Sequence, residues 1–365
     1  MDTLTHALSG ALLARATAPV RPAAGELTPG MRTKVGFVAA AFPDCDFVLR
    51  LFDPLTYIAL HRGVTHSVIL LPVWALLLAW LLSLILRQRY SWRAIYGTAA
   101  LGIAIHIAGD VFTAYGTMLL APFFSHRFAI PFTFIIDPYF TAIIAIGLVA
   151  AMLWPQRRRP AIIAFLVLGC YVGFQGILHA QAVKAGEAYA KNSGLFETEV
   201  HAVPQPLSPF YWKVIVSRGD DYYVASIDLW RTHNRKPSDP ASGIWGMWER
   251  IASGYQPVSA AKWIHRRRFG DTDSQRNLAH EAWEQEIFAP FRRFAAFPAL
   301  NQIKSAGSGV CVSFLDLRFI IPSLPPSLVF GLCRDSPAGP WWLEHERGHW
   351  KGLIGADGNI PDLIK

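Results

Sequence analysis

Two stretches of this chain, Ser67–Leu86 and Ala161–Ala180, each run for 20 residues without an Asp, Glu, Lys or Arg. About 20 apolar residues is what roughly 30 Å of hydrocarbon demands of a helix, so a chain with two such stretches is not an ordinary soluble domain. Ala94–Phe112 and Tyr139–Trp154 are shorter or more polar but read as further spans. Two weaker apolar stretches, Leu4–Ala18 and Val35–Phe42, flank a Pro/Gly-containing loop and read as a helical hairpin packed on the others. The expected fold class is a membrane all-α region of about six helical segments, four of them clear spans, followed by a soluble α+β domain.

Charge divides the chain at the same place. Residues 1–180 hold 13 Lys and Arg against 7 Asp and Glu, whereas 181–365 hold 21 against 19. The expected domains are therefore 1–180, helical and membrane-embedded, and 181–365, water-soluble. The net charge of +8 comes partly from short basic clusters between apolar segments, which is a topology signal, and no nucleic-acid partner is expected. If the six segments alternate, Arg15, Arg21, Arg32, Lys34, Arg87, Arg89, Arg93 and Arg157, Arg158, Arg159 share one face, against Arg50, Arg62 and Arg127 on the other. The positive-inside rule then puts the basic face in the cytoplasm and both termini, with residues 181–365, outside. No basic stretch precedes Leu4, so no removable signal peptide is expected. Four Cys exclude a disulfide framework, but Cys311 and Cys333, 22 positions apart, are expected to bond if their domain is exported.

Only seven acidic residues precede residue 181, and Asp44, Asp46, Asp110 and Asp137 lie in or against apolar segments. A lone carboxylate there is costly unless it is paired or bound to a cation. His6, His61, His66 and His106 fall at the ends of the same segments, and alternation places all of these residues at one membrane face. His106 and Asp110 are spaced i, i+4, which puts both side chains on one helix face. Asp44 and Asp46 follow Pro43, where a helix breaks, and His61 and His66 bracket a turn. Thr5 and Thr65 each precede a His and are expected to cap a helix.

The candidate metal ligands are His6, Asp44, His61, His66, His106 and Asp110. Such His/Asp donors without thiolates suit Zn²⁺ or Mn²⁺, as one or two ions. Asp46 or Asp137 is the candidate base or supporting carboxylate, although Asp137 before Pro138 also has the sequence of an N-cap. Arg62 is the candidate contact for a substrate anion.

These residues fall in recognisable strings: Met-Asp-Thr-Leu-Thr-His-Ala-Leu-Ser-Gly at 1–10, Phe-Pro-Asp-Cys-Asp at 42–46, His-Arg-Gly-Val-Thr-His-Ser at 61–67 and His-Ile-Ala-Gly-Asp-Val-Phe-Thr-Ala-Tyr-Gly-Thr at 106–117. Together, over about residues 1–140, they resemble the YdjM family of membrane-bound, predicted metal-dependent hydrolases. The resemblance implies a multi-pass protein of a bacterial or archaeal plasma membrane with a hydrolytic metal centre. The order His, Asp, His, His-x-x-x-Asp is also distantly similar to the zinc-dependent phospholipase C and P1 nuclease group, whose helical fold gathers three zinc ions. His6, Asp44, His61 or His66, His106 and Asp110 match that order. Within residues 1–180 the group's later His-x-x-x-Glu helix has no counterpart, and His126 and Asp137 are what that half offers instead, so one or two ions are expected.

The function expected is a membrane-bound metal-dependent hydrolase that uses activated water on a phosphoester in a lipid or lipid-linked substrate, with membrane lipids as partners. The alternatives are a non-catalytic scaffold or metal transporter, or a membrane metallopeptidase. The last lacks a base, because Glu26, in a cytoplasmic loop, is the only Glu before residue 181. Substrate identity and oligomeric state are not legible.

In the second half, Phe210–Val216 and Tyr222–Trp230 alternate around a turn and predict a hairpin. Ala279–Phe297 predicts an amphipathic helix and Val310–Ile321 a strand. The run Arg266, Arg267, Arg268 reads as a solvated face or a lipid-phosphate contact. His345-Glu-Arg-Gly-His349 matches the HExxH pattern, but Gly348 interrupts the helix it needs and no Glu follows, so it is expected to be inert.

Overall fold

The computed structural model describes residues 1–51, 53–233, 243–306 and 308–344. The HExxH string lies outside them. The chain forms two compact units, Met1–Gln181 with Val203–Tyr211, and Ala182–Ala202 with Trp212–Lys365.

In the first unit the chain runs through α1 (Thr3–Ala16), α2 (Pro29–Ala41), α3 (Pro54–Leu60), α4 (Leu71–Ile85), α5 (Trp92–Val111), α6 (Pro138–Leu153) and α7 (Arg159–Asn192). The end of α7 belongs to the second unit. Asp2, Thr28, Asp53, Ser91 and Asp137 cap α1, α2, α3, α5 and α6, each accepting from a backbone N–H of the first turn. Thr5 and Thr65 do not cap, contrary to expectation: Asp2 takes that place on α1, and the short 3₁₀ turn Val64–His66 has no side-chain cap.

The expected N-terminal hairpin is α1 against α2. Small residues let the two backbones touch, since a Cβ on Gly36 would meet the Gly10 carbonyl oxygen at 2.4 Å and the Ala14 Cβ at 2.6 Å. Outward faces are apolar, as lipid requires: Ile85 of α4, Ile146 of α6 and Leu166 of α7 are 72%, 70% and 66% exposed. The polar residues are turned inward instead.

The expectation of four clear spans is corrected. Among the described residues two helices, α5 and α7, are long and apolar enough to cross a membrane, and a third span is counted if Pro54–His66 and Leu71–Ile85, bent by 81°, act as one. The stretch Ser67–Leu86 does not form one long helix. Ser67 Oγ donates to the carbonyls of Ala121 (2.5 Å) and Leu119 (3.2 Å), the Val68 N–H donates to Leu119 O, and Pro72 stands in the first turn of α4. That leaves 15 helical residues, about 22 Å, too short for the hydrocarbon core. α6 is apolar but shorter, with 16 residues, about 24 Å, just under the usual span length.

The second unit is α+β. β1 (Glu199–Pro204), β2 (Tyr211–Arg218), β3 (Asp221–Asp228) and β4 (Gln256–Pro257) lie side by side, and β5 (Ile264–Arg267) adds antiparallel to β3. A second sheet runs β6 (Pro298–Ala306), β7 (Gly309–Asp316), β8 (Phe330–Arg334) and β9 (Trp342–Glu344), all antiparallel. Helices α8 (Gly243–Ser253), α9 (Asp273–Trp283) and α10 (Ala289–Phe294) complete the unit.

The β2–β3 hairpin is present where alternation placed it. The single helix expected over Ala279–Phe297 is instead α9, a 3₁₀ turn and α10, because Pro290 lacks the N–H that a continuous helix would use. Cys311 and Cys333 stand opposite each other on β7 and β8 and form a disulfide. Cys45 and Cys170 are free and exposed.

Lys213, on β2, is completely enclosed, and its ammonium donates to the carbonyls of Leu317 and Ile320. Burial pushes its pKa down from 10.5 to about 7, opposed only in part by the Asp316 carboxylate. The unfolded chain thus binds a proton that the folded one releases between those values, so stability rises with pH across that window, by up to about 1.4 kcal/mol per pH unit. Denaturant unfolding of the full chain at pH 7 and pH 10 is expected to show this rise, and Lys213→Met should flatten it. An unchanged slope in the variant would assign the pH dependence to other groups.

Candidate metal centre

One end of the first unit gathers the residues that an apolar helical bundle should exclude. α1 contributes His6 one turn from its start, and the 3₁₀ segment Phe42–Leu51 after α2 supplies Asp44 and Asp46. The turn after α3 supplies His61, Arg62 and His66, and the last turns of α5 supply His106 and Asp110. Gly109 makes room for the first of these: a Cβ there would stand 3.2 Å from the His6 imidazole. At another place in the unit, Arg15 donates to the carbonyl of Pro155 at 2.5 Å, so the α1 C-terminus lies beside the Arg157–Arg159 segment.

Asp44, His66, His106 and Asp110 each offer an atom within 4.8 Å of all the others, and the group could hold a metal ion. His66, His106 and Asp110 are completely buried. His106 Nδ1 lies 2.6 Å from the carbonyl of Ala40, which can only accept, so Nδ1 carries a proton and Nε2 is turned toward the cluster. His66 Nδ1 is engaged by Thr65 Oγ1 at 2.9 Å, turning its Nε2 the same way.

The two Nε2 atoms lie 2.9 Å apart. Asp110 Oδ2 is 3.2 and 3.3 Å from them, and Asp44 Oδ1 is 3.6 Å from each. Asp110 Oδ2 is buried and accepts no hydrogen bond. Four potential ligand atoms thus converge on one buried point, and a proton or a cation there would satisfy Asp110 Oδ2, since an unsatisfied buried carboxylate oxygen is costly.

The other oxygen of Asp110 is amply supplied. Oδ1 receives the Met1 amine at 2.5 Å, Arg62 Nη2 at 2.8 Å and His6 Nε2 at 2.9 Å. His6 also stacks on His106, with ring centroids 3.7 Å apart. It therefore supports Asp110 and His106 from outside the four-residue group. Arg62, at φ 60°, also donates to Thr113 Oγ1 at 2.6 Å and lies over Tyr115. Its guanidinium is spent on Asp110 and not on an open surface.

A second group, Asp44, Asp46 and His61, shares Asp44 with the first and could likewise hold an ion. Asp46 Oδ1 lies 2.8 Å from His61 Nδ1, and its Oδ2 accepts from Thr65 Oγ1 and the Arg62 N–H. Asp137 is placed in neither group; its oxygens accept from the Tyr139 and Phe140 N–H groups and from Tyr171 Oη. Cys311 and Cys333 lie near Glu344, but both sulfurs are in the disulfide and offer no thiolate.

The uncharged supports carry no signal in the sequence: Thr3, whose hydroxyl donates to Asp44 at 2.6 Å, and Thr113, Tyr115 and the Ala40 carbonyl. Thr65 was visible next to His66, but as a cap and not as the hydroxyl that joins Asp46 to His66.

Residues 1–182 match the family model described as YdjM inner membrane protein. An uncharacterized protein of Bacillus subtilis, YfhP, is 28% identical over 247 residues, which cover 65% of this chain and 73% of that relative. No solved structure matches.

Proposed function

We propose that the protein, whose residues 1–182 match the YdjM inner membrane protein family model, is a membrane-bound hydrolase whose buried His/Asp centre holds a divalent cation. The observation that carries this is the convergence of His66 Nε2, His106 Nε2, Asp44 Oδ1 and Asp110 Oδ2 on one buried point, where Asp110 Oδ2 has no hydrogen-bond partner. Two imidazoles and two carboxylates without sulfur suit Zn²⁺, with Mn²⁺ as the alternative. Such a cation supplies charge for a developing phosphoryl anion and lowers the pKa of water.

The chain's own residues do the rest. Arg62 and His6 hold Asp110 in place. Asp46 orients His61 through Nδ1, leaving Nε2 to take a proton from water as the general base. The substrate we propose is a phosphoester in a lipid or lipid-linked molecule, since the centre is built at one end of apolar helices. Asp44's membership of both groups favours a second reading of the same site, in which a further ion lies between Asp44, Asp46 and His61.

Purified full-length protein is expected to hydrolyse bis(p-nitrophenyl) phosphate or a phospholipid, to lose that activity to a chelator and to regain it with Zn²⁺ or Mn²⁺. Bound metal without turnover on any phosphoester would move the centre to a structural or transport role.

For orientation we propose that residues 181–365 are extracytoplasmic. The Cys311–Cys333 disulfide supports this, as does the clustering of Arg87, Arg89, Arg93 and Arg157–Arg159 around the starts of α5 and α7. A reporter fused after Gln181 should be active only if it requires export. Activity of a cytoplasm-only reporter at that position would reverse the topology.

A further inference from the structure

The second unit contains a cavity of about 370 Å³ that the metal centre does not use, within the size range of small-molecule sites. Val224 and Ser226 of β3 and Ile264 and Arg266 of β5 line it. Residues two apart on a strand share a face, and the pairs Val224↔Ile264 and Tyr222↔Arg266 set the two strands in register. Lys213 reaches it from β2, Lys262 stands just before β5, and Leu317, Ile320 and Pro322 supply an apolar wall. Three of the lining residues are cationic and none is acidic.

Arg266 differs from its two neighbours in the basic run. Arg267 pairs with Asp221 at 3.0 Å and Asp271 at 3.3 Å, and Arg268 pairs with Asp220 at 3.0 Å. Among the described residues neither Arg266 nor Lys262 has an ion-pair partner. Lys213, buried beneath them, gives two of its three donors to the Leu317 and Ile320 carbonyls. Basic side chains are thus concentrated in a partly apolar recess whose lining holds no carboxylate, Asp316 acting on Lys213 from outside that lining, a setting that attracts anions.

We propose that this cavity binds an amphiphilic anion, a carboxylate, sulfonate or phosphate carried on an aromatic or aliphatic body. The charged group lies among Lys213, Lys262 and Arg266, and the body packs on Ile264, Leu317 and Ile320. The site is independent of the metal centre and of any hydrolytic activity there. The probe is 1-naphthoate, titrated calorimetrically into the full chain in non-ionic detergent, with 1-naphthamide as the neutral analogue and inorganic phosphate as the anion without a body.

Saturable naphthoate binding is expected, with both controls weaker by about tenfold or more. The double variant Lys262→Gln, Arg266→Gln changes only exposed side chains, so it should keep its unfolding midpoint and weaken naphthoate by about tenfold or more. No saturable binding by the wild type, equal binding of the amide or of phosphate alone, or a double variant that binds like the wild type would each overturn the proposal.

Discussion

Asp110→Ala is expected to destabilise the membrane domain by about 3–5 kcal/mol, the cost of removing one partner from a buried charged network. Asp110 is the point on which the Met1 amine, His6 and Arg62 converge. Without it the Arg62 guanidinium, only 3% exposed, keeps Thr113 Oγ1 and the backbone carbonyl of residue 110 but has no counter-charge at Oδ1. The double variant Asp110→Ala, Arg62→Met removes the stranded charge and should recover part of the loss. Unfolding midpoints of the three proteins in one detergent check this. A single-variant cost below about 1 kcal/mol, of the size seen for exposed ion pairs, would show that the network does not hold the fold.

His61→Ala should act on turnover instead. Its ring is positioned by Asp46 and packs against Tyr57 and Tyr115, outside the buried four-residue group. Loss of a general base costs about 10²–10⁴-fold in kcat, with KM and the ion held by Asp44, His66, His106 and Asp110 little changed. Asp46→Ala should give a smaller loss of the same kind, because it removes the partner that orients the ring. If His61→Ala also releases a metal equivalent, His61 is a ligand of a second ion and the base lies elsewhere.

Much of the site was legible because charge in an apolar sequence has few places to go. His106 and Asp110 announced themselves by their helical spacing, and Asp44 and Asp46 by following Pro43. His6 and Arg62 were legible as members of the site but not in their roles. The His6 imidazole and the Arg62 guanidinium are directed at Asp110 Oδ1, tertiary contacts over 104 and 48 residues that no local spacing encodes. Asp137 shows the converse, where the N-cap pattern ahead of Pro138 describes how its carboxylate is used.

Span length is only partly legible for a related reason. Hydropathy counts Ser67–Leu70 as apolar length, but Ser67 and Val68 bond to Leu119 and Ala121, far away in sequence, and the helix starts only at Leu71. In the second half, alternation located the β2–β3 hairpin, whereas Pro290 split what amphipathic spacing joined.

Metal analysis of full-length protein purified without chelator, wild type beside His106→Ala, tests the central claim most directly. His106 is chosen because its Nδ1 is fixed by the Ala40 carbonyl and its Nε2 has no role except toward the cluster. The account predicts at least about one divalent ion per wild-type chain and a loss of most of it in the variant. A wild type free of metal after growth in Zn²⁺ and Mn²⁺, or equal metal in the two proteins, would contradict it.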